Sequence, residues 1–552
     1  MTSTQTTPQP RSAEEWIQIL FDPASFDEQF TGVRTPDPLK FSDSSSYPDR
    51  LAAAREKTGR REAVWTGVAW LGGHRVVAAV SDFRFIGGTM GFAVGERVAE
   101  AMEQARKAKI PFVAVTCSGG ARMQEGVVAL FQMAKTAAAA QRLHEAGVPM
   151  ITVLASPTTG GVYASYATQA DLIVAEDGAV IGFAGGRVRA VRSTTDEDET
   201  LHATDLFDAG QIDAVLPSEG IRPFLIRAVR MMIRPTPPAK DAVPPPVPLG
   251  VAASGWDAVQ AARHPERPRA GQYLVMMLAD FIPIRGDRAG TDDPALTAGF
   301  GRIDEINVVC IAQDRTHGDG RVTPAGYRKA RRAMQIANRL DLPLITLVDT
   351  PGASDSLADE KHGLAGAISD CLATMAAATN PTVSAVIGEG GSGGALALSV
   401  ADRLLMQQNA IYAVTSPEGA AAILYRDRDR APEVADHLGI TATDLKKLGV
   451  IDTIVPEPPG GAHDEPRAAA NMLAQELKRA LAQSMRGRGS ARRRQREKRL
   501  HRLGRTRFAP LRDAADLLAG VSELAVHALD SGRQLLENRL RGGNDHSSDG
   551  DA

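Results

Sequence analysis

The segment Val113–Gly126, VAVTCSGGARMQEG, places a thiol (Cys117), a hydroxyl (Ser118), adjacent glycines (Gly119 and Gly120), a cation (Arg122) and a carboxylate (Glu125) close together. Each type implies a chemistry. A thiol beside a base is a nucleophile. Adjacent glycines where a strand meets a helix let backbone N–H groups face an anion, either a phosphate or the oxyanion that develops in a transition state. The bases in the first half are His74, His144 and His202, none in a recognisable motif, so Cys117 is expected to be a small buried residue closing a strand. A second stretch, Gly388–Ala395 (GEGGSGGA), fits two patterns at once. One is the G-x-G-x-x-G of dinucleotide sites, but no acid follows within Gln407–Ala413 to hold a ribose. The other is the G-x-S-x-G elbow of hydrolases, centred on Ser392, with Asp452 and His463 downstream.

The elements that must position these residues follow from the apolar pattern. Runs rich in Val and Ile (111–116, 150–154, 344–348, 382–387) alternate with Ala-rich helical runs (128–146, 364–379), which predicts repeated βα units. The two halves also repeat one another. KIPFVAVTCSGGA (109–121) matches DLPLITLVDTPGA (341–353) at a displacement of 232, and SPTTGGVYAS (156–165) matches GEGGSGGALALS (388–399) at 233, pairing Gly160-Gly161 with Gly393-Gly394. ADLIVAEDGAVIGF then matches ADRLLMQQNAIYAV at 231. Two copies make a pair of related domains rather than a solenoid. The equivalent turn of the first copy, PTTGG, has neither a serine at the elbow position nor a dinucleotide pattern. What the copies share is glycine pairs at strand-to-helix turns, so the expected chemistry is that of backbone N–H groups.

Composition narrows the class. The 552 residues, 43% hydrophobic and 23% charged with a net charge of −3, describe a multidomain globular protein without general affinity for nucleic acid. Three scattered cysteines argue against a disulfide framework and a Cys-rich zinc site, and they suit a reducing cytoplasm. No secretory signal or apolar run of membrane-spanning length is evident. Residues 235–248, PTPPAKDAVPPPVP, are half proline and predict an extended spacer. The divisions are then an N-terminal segment (1–45), a first domain (46–234), a linker (235–255), a second domain (256–485), a basic segment (486–510), and a C-terminal helix with a disordered end (511–552). The basic segment carries eleven Lys or Arg between Arg486 and Arg507 against Glu497 alone, a pattern expected of a solvated face.

The first half resembles the β chain of bacterial acetyl-CoA carboxylase carboxyltransferase, through PDPLKFSDSSSYPDRL, FIGGTMGFAVGER, SGGARMQEG, SPTTGGVYAS and IGFAGGRV. The second half resembles the α chain, through ARHPERPRAGQY, PAGYRKARRAMQIANRLDLPLITLVDTPGA, IGEGGSGGALALSVADRLLM, SPEGAAAILYRD and IVPEPPGGAH. Part of the basic tail, RRRQREKRLHRLG, resembles that chain's ordinary C-terminus. The family is the carboxyltransferase component of biotin-dependent acyl-CoA carboxylases. The resemblance implies an α/β fold of two duplicated crotonase-like (ClpP-type) ββα-superhelix domains. It implies transfer of CO₂ from carboxybiotin, on a carrier protein, to the α-carbon of an acyl-CoA, by default acetyl-CoA giving malonyl-CoA. The partners it implies are a biotin carboxyl carrier protein, a biotin carboxylase and further copies of the chain, at least a dimer. No metal is expected.

Carried over by position, Gly119 and Gly120 would stabilise the thioester enolate, and Gly394 and Ala395 the biotin ureido oxygen. Gly160, Gly161, Gly352, Ala353 and Gly393 would line the same cleft. Arg122 would meet the acyl-CoA phosphates or pair with Glu125; Arg328 and Lys329 are similar candidates. The chain departs from the family in three places: residues 1–30 hold no cysteine where the β chain has a zinc ribbon, DTPGASDSLADEKHG lacks the expected aromatic-plus-glycine wording, and 511–540 extends past the usual end. A propionyl-CoA or longer acyl-CoA carboxylase component is the nearest alternative. A biotin-independent crotonase-type hydrolase or isomerase would need an acid/base pair, for which Glu125 and Glu389 are the candidates. A non-catalytic assembly subunit or a nucleic-acid binder is a third alternative.

Overall fold

A strand buried on both faces reads as a continuous apolar run, and such strands pair in parallel under helices. Phe112–Ser118 and Leu344–Thr350 are runs of this kind, with every residue buried. The computed structural model describes residues 7–184, 200–237 and 254–503. Residues up to Arg496 form one compact unit; a second begins at Glu497, of which the end of the helix Gly489–Arg502 is described.

The first copy contributes strands β1 (Asp27–Gln29), β2 (Val64–Leu71), β3 (His74–Ser81), β4 (Phe112–Ser118), β5 (Met150–Thr159), β6 (Leu172–Glu176), β7 (Ile181–Gly182) and β8 (Ala214–Leu216). The second contributes β9 (Asp280–Pro283), β10 (Leu296–Ile303), β11 (Ile306–Gln313), β12 (Leu344–Thr350), β13 (Thr382–Gly391), β14 (Arg403–Gln407), β15 (Ile411–Ala413) and β16 (Thr453–Val455). The sheets are ordered β1-β2-β3-β4-β5-β6-β8 and β9-β10-β11-β12-β13-β14-β16, with β7 on the end of β5 and β15 on the end of β13. In each, an antiparallel hairpin (β2–β3, β10–β11) feeds strands that run in parallel from there on. Each copy is thus the same hairpin followed by βα units, as the crotonase-like expectation requires.

The first copy begins earlier than residue 46. Ser12 caps the helix Ala13–Leu20 in a capping box, and Trp16 and Leu20 of that helix are fully buried. One apolar cluster includes these two residues, Val113, Val115 and Cys117 of the first sheet, and Val309, Ile311 and Val348 of the second, so the copies share a core. The proline-rich stretch lies mostly, and residues 511–552 wholly, outside the described residues, as does Gly185–Val188 of IGFAGGRV.

The copies are joined by charge as well. Asp171 precedes β6 and accepts the Met150 N–H at the start of β5 (2.8 Å); its other oxygen pairs with Arg339 of the helix Pro324–Arg339. Asp402 holds the same place in the second copy, accepting the Thr382 N–H (3.0 Å) and pairing with Arg496 (2.6 Å). Arg496 also donates through Nη1 to the carbonyls of Met375, Ala376 and Ala378 at 2.6, 3.0 and 3.1 Å, closing the C-terminal end of the helix Leu364–Ala377. The solvated face expected of the basic segment is therefore corrected at Arg492 and Arg496, both buried. Removing one partner of a buried pair leaves the other charge uncompensated. Arg496→Ala is accordingly expected to cost about 3 kcal/mol in chemical denaturation of the full chain, whereas an arginine on a solvated face would cost under about 0.5 kcal/mol.

Candidate active site

The two glycine turns of each copy lie back to back. After β4 the chain turns through Gly120 (φ +111°), and after β5 it turns through Gly160 (φ +62°) into the short helix Gly160–Tyr163. A Cβ on Gly160 would stand 2.8 Å from the Gly120 Cα, so only glycine permits both the backbone angle and the approach. In the second copy, β12 leads through Gly352 and β13 leads through Ser392 into the helix Ser392–Leu396. A Cβ on Gly394 would stand 2.5 Å from the Ala353 nitrogen, which sets these turns equally close.

The N–H groups divide into two sets. Gly119 donates to the Gly87 carbonyl (2.8 Å), Gly120 to the Ser118 hydroxyl (3.1 Å) and Gly160 to the Phe183 carbonyl (3.1 Å). The Thr350 hydroxyl likewise takes the Gly352 N–H (3.0 Å). These donors are taken up by acceptors within the chain, Gly120 and Gly352 by hydroxyls of their own turns and Gly119 and Gly160 by carbonyls of neighbouring segments. Gly161 and Val162 in the first copy, and Gly393 and Gly394 in the second, lie in the first turn of a helix, where an N–H has no helical acceptor; Ala395 stands one place further on, where the N–H closes the first helical bond on the Gly391 carbonyl.

Superposing the strands shifts one pairing made from the sequence. β4 and β12 are displaced by 232, and so are β5 and β13. Ser392 therefore stands opposite Gly160, and Gly161 opposite Gly393; the displacement of 233 counts one residue too many. Ser392 keeps the positive φ of its counterpart, +54°. An exposed serine in that conformation looks like a nucleophile elbow, but the elbow's partners are elsewhere. Asp452 accepts the Leu404 N–H (2.7 Å) near the start of β14, at the far end of the sheet from the turn. His463 stacks on His264 with ring centroids 3.8 Å apart. Cys117 is fully buried, its thiol donates to the Ser156 carbonyl (3.0 Å), and burial pushes its pKa well up, which removes it as a thiolate nucleophile.

Arg122 is corrected from ligand contact to interior brace. It is fully buried, its guanidinium grips Glu62 (2.6 and 3.1 Å), and it donates to Tyr47 Oη (3.3 Å) and the Thr89 carbonyl (2.9 Å), with Glu125 at 3.5 Å. Burial alone would raise the Glu62 pKa, but Arg122 outweighs it and holds the carboxyl below its usual range. Glu125 in turn accepts the Tyr47 hydroxyl (2.6 Å) and the Phe92 N–H (2.5 Å). Glu389 is gripped by Arg263 (2.8 Å) and Arg315 (2.7 Å). Beside it, burial raises the Asp349 carboxyl to about 6 despite Arg315 and the Glu389 N–H that it accepts. Both glutamates offered as an acid/base pair are thus braces of the turns. Lys329 is buried on Asp292 (2.6 Å) and Arg328 pairs with Asp287 (2.7 Å). Tyr47, Glu62 and Arg267, the last buried on Glu457 (2.6 Å), were not singled out from the sequence. Each meets a partner 60 or more positions away, and no local spacing signals it.

Beside the turns lie apolar side chains that stand exposed among the described residues. Met123, Val127, Leu130 and Phe131 (67% exposed) follow the first; Val414, Ile423 (75% exposed) and Leu424 follow β13 in the second copy.

The family comparisons assign these two crotonase-like copies to the carboxyl transferases. Residues 14–215 match the carboxyl transferase domain, and residues 252–504 match the acetyl co-enzyme A carboxylase carboxyltransferase-like domain. The acetyl-coenzyme A carboxylase carboxyl transferase subunits beta/alpha of Salinispora tropica are 44% identical over 469 residues, 82% of this chain and 83% of theirs. A probable biotin-dependent acyl-coenzyme A carboxylase beta3 subunit of Mycobacterium bovis is 41% identical over 434 residues, 78% of this chain and 87% of its own. The crystal structure of transcarboxylase 12S, a hexamer with methylmalonyl-coenzyme A bound, shares the fold with a TM-score of 0.70 at 23% identity, over 87% of this chain and 91% of that one. The chain belongs to the family of acetyl-coenzyme A carboxylase carboxyl transferase subunits in which beta and alpha are joined. Among the described residues no helix is long and apolar enough to cross a membrane.

If Ser392 serves only the turn, Ser392→Gly relieves a left-handed non-glycine residue. It is expected to leave carboxyl transfer within about twofold and to raise stability by up to about 1 kcal/mol, both measured on the purified variant. An elbow serine would lose activity entirely.

Proposed function

We propose that the chain transfers carboxylate between biotin on a carrier protein and the α-carbon of an acyl-CoA, with acetyl-CoA as the acyl substrate. The carrying observation is the pair of first-turn donor sets, one in each copy, which suits a reaction with an oxyanion on each substrate. Carboxybiotin supplies the carboxyl group and, once that has left, the base for the α-proton. The fit of this group rests on donor chemistry. Gly393 and Gly394, rather than Ala395 whose N–H is taken by the helix, present neutral N–H groups to a ureido oxygen, and the carboxylates nearby, Glu389 and Asp349, are held back by arginines.

For the acyl-CoA the donors are Gly161 and Val162 rather than Gly119 and Gly120, whose N–H groups are already engaged by the Gly87 carbonyl and the Ser118 hydroxyl. They hold the thioester oxygen as it becomes an enolate, each donor contributing on the order of 3 kcal/mol to the transition state. Gly120, Gly160, Gly352 and Ala353 keep the turns close enough for those donors to point outward together. No side-chain base is required, which agrees with the braced state of Glu125 and Glu389.

The uncovered apolar flanks of both turns support assembly. The second copy of one chain covers the first copy of another, so the reacting groups meet between chains and the unit is at least a dimer. The protein is a cytoplasmic partner of a biotin carrier and a biotin carboxylase.

Transfer from malonyl-CoA to biocytin, followed by release of acetyl-CoA, tests the reading. The wild type is expected to turn over, and hydrolysis of acyl-CoA without carboxylated biocytin would overturn it. Gly394→Val drives a side chain against the Ala353 nitrogen and the Tyr327 hydroxyl. It is expected to lower transfer by about 100-fold or more while CoA binding, followed by calorimetry, is retained. Phe131→Asp is expected to convert the assembly to monomers in sedimentation velocity and to abolish transfer with the fold intact by circular dichroism.

A further inference from the structure

At the starts of β5 and β6, away from the glycine turns, the two copies meet over a cavity of about 220 Å³. The ten residues of β5 separate it from the turn at Gly160 by roughly 30 Å. His144, Thr168 and the carboxylate of Asp171 line it from the first copy, and Arg288, Arg332, Gln335 and Arg339 from the second. Arg332, Gln335 and Arg339 recur at helical spacing on one face of the helix Pro324–Arg339.

The charges around this cavity do not balance. Three guanidiniums meet two carboxylates: Arg288 and Arg332 share Asp213, and Arg339 pairs with Asp171. Arg339 Nη1 and His144 Nε2 are buried with no hydrogen-bond partner. A buried donor left unmade costs about 1–3 kcal/mol. Burial pushes Arg288 and Arg339 down to about 10, and burial followed by the nearby Arg339 pushes His144 down to about 4. The second copy shows the contrast. At the equivalent anchor, Asp402, both terminal nitrogens of Arg496 find acceptors in the chain.

We propose that this cavity binds a small oxyanion ligand, phosphoryl or carboxylate, held by Arg332, Arg339 and His144 across the junction of the two copies. Guanidinium groups match both anions bidentately. Because the site draws on both copies, its ligand stabilises their packing, and the effect is read as linkage between binding and unfolding. The site is separate from the glycine turns and does not depend on the assignment of donors there.

Thermal unfolding of the full chain, titrated with inorganic phosphate and separately with succinate against chloride at matched ionic strength, tests this. A saturable rise in midpoint beyond the chloride control is expected with at least one of them; phosphate alone identifies a phosphoryl ligand and succinate alone a carboxylate. Arg332→Gln is expected to weaken the dissociation constant at least tenfold. His144→Phe, which breaks no ion pair, is expected to weaken it at least threefold and serves if the first variant does not fold. No saturable rise with either anion, or unchanged affinity in His144→Phe, overturns the proposal.

Discussion

The structure depends on the approach of two backbone turns within each copy, at a distance that excludes a side chain. Gly160 against Gly120 and Gly394 against Ala353 are the points of contact, and each joins the ends of neighbouring parallel strands. Parallel strands end together, so turns after adjacent strands meet at one edge of the sheet. Once they meet without side chains between them, the helix that starts from one turn presents its first N–H groups beside the other. The donor geometry is thus a consequence of strand pairing and of turns held rigid.

That rigidity comes from buried ion pairs. Arg122–Glu62 sits beneath the first turn, and Arg267–Glu457 braces the end of β13 through the Ile387 carbonyl (2.8 Å). Desolvating such pairs is expensive, and a well-packed apolar substitute is often as stable. Their advantage here is direction: a guanidinium with several acceptors fixes each of them in angle as well as distance. Asp349 and Glu389 extend the same pattern to the turn of the second copy, and the residues that look most reactive in the sequence are the ones most firmly held.

Much of this was legible in the sequence. The duplication, the βα alternation, the family and the placing of glycine turns at strand ends all follow from local pattern, because strands, turns and repeats are local. The lapses are non-local. Whether the Gly119 N–H faces a ligand depends on Gly87, 32 residues earlier, and whether Arg122 reaches out or in depends on Glu62. The one-residue slip at Ser392 has a different origin. Matching glycine letters overrode matching backbone angles, and a serine can occupy the left-handed place when the turn demands it. Arg496 misled for the opposite reason: a charge run is usually solvated, and only the fold shows that one member caps a helix.

The two aspartate anchors are met from different sources. Asp171 takes an arginine from the copy that follows it, and Asp402 takes one from the terminal helix instead. The helix Gly489–Arg502 thus does for the second copy what the helix Pro324–Arg339 does for the first: each brings the arginine that meets the aspartate ahead of a strand, so a helix without a sheet of its own completes one copy where a whole domain completes the other.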